Sequence, residues 1–310
     1  MLPALQNFNL DAAESFFIER QLETVRSKIY EVKYAELVAR TLIPVSNEDD
    51  PGAETIRYDI YDSVGVAKIV ASYAKDFPRA DVKVREERAV VKSIGNAYAY
   101  NIQEMRAAAL AKRPLEQRKA NSARKAQEQE IERIALLGDQ PNNLVGLFNV
   151  PNALGYAAPN NAAGNSTTWA NKSPDEILRD LNGPWKVIRT TTKDVEKPDT
   201  MLMPIGQHAL ISTTPRSPVS DTTILEFFLA NNPDIKSVIP IARLAGQGAG
   251  GSDRMVVYRR DPDALQLAIP QEFEQFPPQT EGMELSIPCH SRCAGVLVFY
   301  PLSICYADGI

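Results

Sequence analysis

The sequence is poor in the residues that most often carry catalysis: 2 histidines and 3 cysteines among 310 residues. General bases and soft metal ligands are therefore scarce. No apolar run reaches the roughly 20 residues a membrane-spanning helix needs. The most apolar stretch, Ala294 to Ala307, is short and is interrupted by Pro301. Positive charge is also in deficit, with 34 Lys and Arg against 39 Asp and Glu and a formal net charge of -5. That balance excludes a chain drawn as a whole onto a nucleic-acid backbone. The opening MLPALQNFNLDAAESFF holds neither a basic n-region nor an apolar h-region, so no secretory signal is expected and the thiols are expected to be reduced and buried. No repeat at a fixed spacing is present, which disfavours a solenoid.

What is there is ordinary globular composition, 44% hydrophobic and 24% charged. Residues 11 to 40 carry a loose helical pattern through Phe17, Leu22, Val25 and Ile29, read as an arm with one helix. After the turn cluster NEDDPG, the period-two run Ile56, Tyr58, Ile60 predicts a long hairpin that turns at DFPRAD (Asp76 to Asp81) and returns through Val82, Val84, Val90, Val91 and Ile94. A two-stranded ribbon is marginal alone in water and needs another surface.

The strongest helical signal runs from Pro114 to Leu137, with Gly138 as a left-handed stop. Its expected inner stripe is Leu115, Ala120, Ala123, Ala126, Ile131, Ile134 and Leu137, with Lys125, Glu128 and Glu132 on a solvated outer face. LVGLFNV (Leu144 to Val150) reads as a strand and Asn152 to Ala170 as a loop. Ser173-Pro174-Asp175-Glu176 is a capping box, opening a helix that Gly183-Pro184 should kink or interrupt. Ser220 is expected to cap a helix over Thr222 to Asn231. Strands are expected at Met201 to Ile205, Ser237 to Leu244, Met255 to Arg259, Leu265 to Pro270, Glu284 to Cys289 and Gly295 to Ser303. Separated β blocks with helices between them predict an α+β class.

Several constellations invite a chemical reading, and each has a blander one. Gly246, Gly248 and Gly251 have dinucleotide-turn spacing, but that turn must open a helix, and Arg254 to Arg260 (RMVVYRR) reads as a strand. Cys289, His290 and Cys293, with Cys305 and His208 as completions, lack zinc-ligand spacing, so buried thiols are favoured. Neither histidine sits in a nucleophile motif. Asp49-Asp50 and Glu86-Glu87 read as solvated pairs. Asn165-Ser166-Thr167 and Asn171-Lys172-Ser173 match glycosylation sequons, which carry no weight in a cytosolic chain. No catalytic, cofactor-binding or metal residue is expected.

The order arm, hairpin, long helix and mixed domain resembles the major capsid proteins of tailed phages, of the Hong Kong 97 type fold. So do GLFNVPN, SPDEILRDL, DTMLMP, TILEFFLANNPDIKSV, GSDRMVVYRRDPDALQLAIP and GVLVFYPLSICYADGI. The resemblance implies an N-terminal arm over 1–46, an E-loop hairpin over 47–97, a P-domain with a long spine helix over 98–150 and 271–300, and an A-domain over 151–270 and 301–310. It implies a non-enzymatic subunit, without cofactor, that self-assembles into pentamers and hexamers of an icosahedral head shell. Implied partners are other copies, a separate scaffolding protein, a portal and decoration proteins. Double-stranded DNA would be enclosed without specific binding, no membrane would be involved, and assembly in the host cytoplasm would place the protein in the virion capsid. No long N-terminal scaffolding segment is evident, and Lys68, Lys75 and Lys83 in the hairpin are not assigned to a covalent cross-link. The alternative of the same fold is the shell of an encapsulin-like nanocompartment enclosing cargo enzymes.

Overall fold

Alternating β-branched and polar residues on one side, and three-to-four spacing on the other, divide this chain between sheets and helices much as the pattern demands. In a computed structural model, residues 36–64, 81–110, 115–219 and 221–310 are described. They fall almost wholly within Leu37–Ile310, the second of two units of the chain. The expected arm helix over 11 to 40 lies largely outside them, as do the DFPRAD turn, Lys68 and Lys75.

In chain order the elements are α1 (Ala39–Leu42), β1 (Val45–Ser46), β2 (Thr55–Val64), β3 (Asp81–Val90), β4 (Lys92–Asn101), α2 (Ile102–Leu110), α3 (Leu115–Leu137), β5 (Leu154–Ala157), α4 (Pro174–Thr191) and β6 (Thr200–Met203). There follow α5 (Ile205–Thr213), α6 (Ile224–Asn231), β7 (Ser237–Pro240), β8 (Arg254–Tyr258), β9 (Leu265–Ala268), β10 (Gln271–Gln275), β11 (Gln279–Glu281), β12 (Glu284–Cys293), β13 (Gly295–Val298) and β14 (Ile304–Asp308). The class is α+β.

A five-stranded sheet of order β5-β14-β8-β6-β7 organises the core. Strand alternation sends Leu202, Val256, Tyr258 and Ile304 to one face, against the end of α3 and residues 39–43. Met201, Met203, Met255, Val257, Cys305 and Ala307 face the other side, against α4, α5 and α6. Both faces are buried, which is why these strands read as near-continuous apolar runs. A second sheet places β12 between β4 on one edge and β10 and β11 on the other. α3 packs along β4, where Asn96 donates to Ala123 O at 2.8 Å and Gln127 donates to Asn96 Oδ1 at 2.8 Å.

The structure corrects several expectations. On α3 the inner stripe passes through buried Gln127, four residues after Ala123, while Ala126 is exposed. Glu132 is buried, because its carboxylate accepts the backbone amides of Val38 and Ala39 at 3.1 and 2.7 Å and so caps α1. Leu144 to Val150 is not a strand: Leu147 N and Phe148 N bond to Ala135 O and Leu136 O at the end of α3. The apolar run thus covers the last turn of the helix. Gly138 does stop α3 in a left-handed conformation, at φ 73°. The return strand of the hairpin ends at Val90, and Ile94 belongs to β4, which pairs with β12 instead.

α4 runs through Gly183-Pro184 without interruption, since Pro184 is buried with Ile177, Leu178, Leu181 and Ile188. Its capping box between Ser173 and Glu176 forms as expected. α6 begins at Ile224 with Thr223 as N-cap, reciprocally bonded to Glu226; Ser220 lies outside the described residues. β5 falls in a stretch expected to be loop. The strand expected over Gly295 to Ser303 ends at Val298, before a 3-10 turn at Pro301–Ser303.

Candidate assembly surface

Strands β2 and β3 form a separate two-stranded ribbon, in register from Thr55 opposite Val90 to Val64 opposite Asp81. Its base is anchored on one face only. Ile56, Tyr58 and Ala89 pack with Val91, Ala268, Ala294, Leu297 and Phe299, and the Tyr58 and Phe299 rings meet edge to face at 5.0 Å. Burial raises the pKa of Tyr58, whose hydroxyl donates to Val298 O at 3.5 Å.

By the alternation of a strand, Arg57, Asp59, Tyr61, Val84, Glu86 and Arg88 share the opposite face. All six are exposed, Tyr61 at 66% and Val84 at 52%. The ion pairs there are long, Arg57 to Asp59 at 3.6 Å, Arg57 to Glu86 at 3.5 Å and Arg88 to Glu86 at 3.8 Å. Exposed pairs of that length contribute little. This face therefore offers apolar and charged groups that the other described residues leave exposed. The side chain of Lys83, though in β3, is outside the described residues.

Elsewhere the described fold is tied by ion pairs that range from half-exposed to fully buried. Arg40 bridges Glu128 of α3 and Glu272 of β10, at 3.2 and 2.8 Å. The bond from Arg40 holds the Glu272 carboxyl below its usual range. Asp180 receives Lys172 Nζ and, at 3.3 Å, Trp169 Nε1, with both ionic side chains excluded from solvent. Arg254 forms a fork on Asp308 at 2.6 and 2.8 Å, stacks on Tyr306 and donates to Phe148 O.

The residues that tempted a chemical reading are dispersed or already satisfied. The glycine turn leads into β8, with Gly246 N bonded to the Asp253 carboxylate at 3.0 Å and Ala249 N to that of Asp308 at 3.2 Å. A phosphate there would meet two carboxylates. Cys289 and Cys293 lie on one face of β12, and His290 points to the other. Cys305 is in the five-stranded sheet. Burial pushes Cys293 up to about 11 and Cys305 up to about 12, so both thiols stay protonated. His208 lies on α5; its Nδ1 is 3.5 Å from Ser212 Oγ. Asp50 accepts Gly52 N at 2.6 Å in a local turn, and Glu86 and Glu87 point to opposite faces of β3. Among the described residues no group of three or more His, Cys, Asp or Glu is placed to hold a metal, and no helix is long and apolar enough to cross a membrane.

The sequence matches a family model described as "Major capsid protein" over residues 65–310. No curated protein matches it. Among solved structures it is similar to the capsid of Myoviridae phage XM1, at 18% identity and TM-score 0.78, covering 94% of this chain and 98% of that one. The capsid of a native GTA particle is similar at 10% identity and TM-score 0.65, covering 98% and 99%. A virus-like particle from Pyrococcus furiosus is similar at 12% identity and TM-score 0.54, covering 86% and 91%.

Proposed function

This chain belongs to the major capsid protein family, and from that premise we propose that it assembles as pentamers and hexamers into an icosahedral head around double-stranded DNA. Its fold is that of tailed-phage capsid proteins of the Hong Kong 97 type, and it is a subunit of a virion capsid shell. The observation that carries the reading is the family match over residues 65–310. We assign the arm to 1–46, the extended hairpin to 47–97, the spine-helix domain to 98–150 and 271–300, and the remaining domain to 151–270 and 301–310.

The subunit acts structurally, without catalysis of its own, and assembles in the host cytoplasm. The ribbon of β2 and β3 reaches a neighbouring copy with the face that the described residues leave open. A separate scaffolding protein, a portal and decoration proteins complete the head. DNA is enclosed without specific binding, in keeping with the net charge of -5. The nanocompartment alternative draws on the likeness to the Pyrococcus furiosus particle, which has the lower TM-score, 0.54 against 0.78 for the phage XM1 capsid.

The test is to purify particles from infected or expressing cells, image them, and measure nuclease-protected DNA. Closed shells holding double-stranded DNA are expected. Shells that hold protein cargo and no DNA would favour the nanocompartment, and a monodisperse monomer at every concentration and salt would reject both.

A further inference from the structure

Positive charge is scarce in this chain, and it is unevenly spread. Residues 106–125 (RAAALAKRPLEQRKANSARK) hold seven Lys and Arg and one acid, Glu116, a net of +6, while the rest of the chain carries 27 Lys and Arg against 38 Asp and Glu, a net of -11. Four of the seven cations fall in the first eleven residues of α3. The backbone dipole favours acids at that end of a helix, so the arrangement does not serve the helix itself.

Helical spacing sorts these cations by direction. Ala123, Gln127 and Ile131 are buried, whereas Arg118, Asn121, Ser122 and Lys125, on the opposite side of a 3.6-residue turn, are all exposed. Lys119 leaves that outer face, since its Nζ donates to Ala99 O at 2.8 Å and to Glu104 at 2.7 Å. Arg124 stands at the flank, where its charge, after that of Arg40, helps to hold the Glu272 carboxyl low. No acid falls between Gln117 and Gln127. Those further along α3 are engaged elsewhere: Glu128 by Arg40 at 3.2 Å, Glu130 by Arg133 at 2.7 Å, and Glu132 by the amides of Val38 and Ala39. Among the described residues Arg118 forms no ion pair.

We infer that this outer face of the first half of α3 is where the subunit meets the sugar-phosphate backbone of the enclosed double-stranded DNA. The inference rests on the shell reading above and adds to it the surface that lies against the DNA. Arg118 and Lys125 stand about 10 Å apart along the helix axis, and a DNA strand presents a phosphate about every 3.4 Å of its own axis, so one strand can engage both. Asn121 and Ser122, between them, carry donors of the kind that bond phosphate oxygens without reading sequence. The negative balance of the rest of the chain opposes DNA and keeps the hold weak.

The test titrates a labelled DNA duplex of arbitrary sequence into the purified full chain, kept dilute so that shells have not closed, at rising sodium chloride. Affinity should fall with salt, and R118Q/K125Q should reduce the slope of log affinity against log salt by about 2. R118K/K125R should keep the parent slope. So should R57Q/R88Q, which removes two exposed cations of the ribbon and controls for charge in general. Glutamine forms helix about as well as Arg and Lys, and circular dichroism checks that each variant is folded; if the pair unfolds, each single change decides, with a reduction of about 1. A parent that binds no duplex, an unchanged slope in folded R118Q/K125Q, or an equal fall in R57Q/R88Q overturns the inference. A parent that binds duplex through these residues but forms no shells overturns the shell reading and leaves the DNA-binding face in place.

Discussion

At the scale of single residues, the strongest expectations concern groups sealed from water. The ionic side chains of Lys172 and Asp180 have no solvent contact, so removing one strands the other. Asp180→Ala should destabilise the protein by roughly 3–5 kcal/mol, whereas replacing both with apolar residues of similar size should cost much less. Urea denaturation of the two variants checks this, and equal losses would argue against it. The thiols give a pH prediction. Desolvation raises Cys293 to about 11 and Cys305 to about 12, against an ordinary value of 9.0. Their contribution to stability is complete below 9, since both states are then protonated. It is lost as pH rises from 9 towards 12, because the unfolded chain ionises first. In the folded protein at pH 8 a thiol-reactive reagent should leave both unmodified, while denaturation should release them. Rapid labelling of the folded state would contradict the burial.

At the scale of elements, α4 shows how packing overrides local signals. Its capping box and its apolar positions Ile177, Leu178 and Leu181 are readable from residue type and spacing, but its passage through Pro184 is not. Proline removes one helical hydrogen bond, and burial of the surrounding apolar face outweighs that loss. Gly183 is needed for a different reason: a Cβ there would lie 2.3 Å from Tyr156 Cζ. Gly183→Ala should therefore displace the Tyr156 ring and cost about 1–3 kcal/mol, measured as a lower denaturation midpoint, and a neutral effect would show that the ring moves freely. β8 and the end of α3 at Gly138 were similarly legible. Leu144 to Val150 was not, because a short apolar run looks the same whether it pairs as a strand or covers a helix end. Glu132 was misread as solvated because its partners, the amides of Val38 and Ala39, are more than ninety positions away.

At the scale of the whole molecule, the period-two pattern of Ile56, Tyr58 and Ile60 was enough to expect a ribbon needing a partner surface. The register that sets Arg57 opposite Arg88 and Tyr61 opposite Val84 was not legible, since register in a hairpin depends on the length and geometry of the connection between strands. The scarcity of histidine and cysteine, 2 and 3 among 310 residues, is read from composition alone. Register also directs the last prediction. Tyr61 and Val84 stand opposite each other, 66% and 52% exposed, so Y61S/V84S removes little that the single chain buries. Folding stability should change by less than about 1 kcal/mol, as surface substitutions usually do. If a neighbouring copy covers both residues, their removal forfeits about 1–3 kcal/mol of apolar burial per contact. Each 1.4 kcal/mol is about tenfold in an association constant, and every ring repeats the contact, so the threshold concentration for shells should rise at least about tenfold. Light scattering against protein concentration, with electron microscopy of the product, reads that threshold directly. An unchanged threshold in a folded variant would show that neighbours leave this face of the ribbon in water.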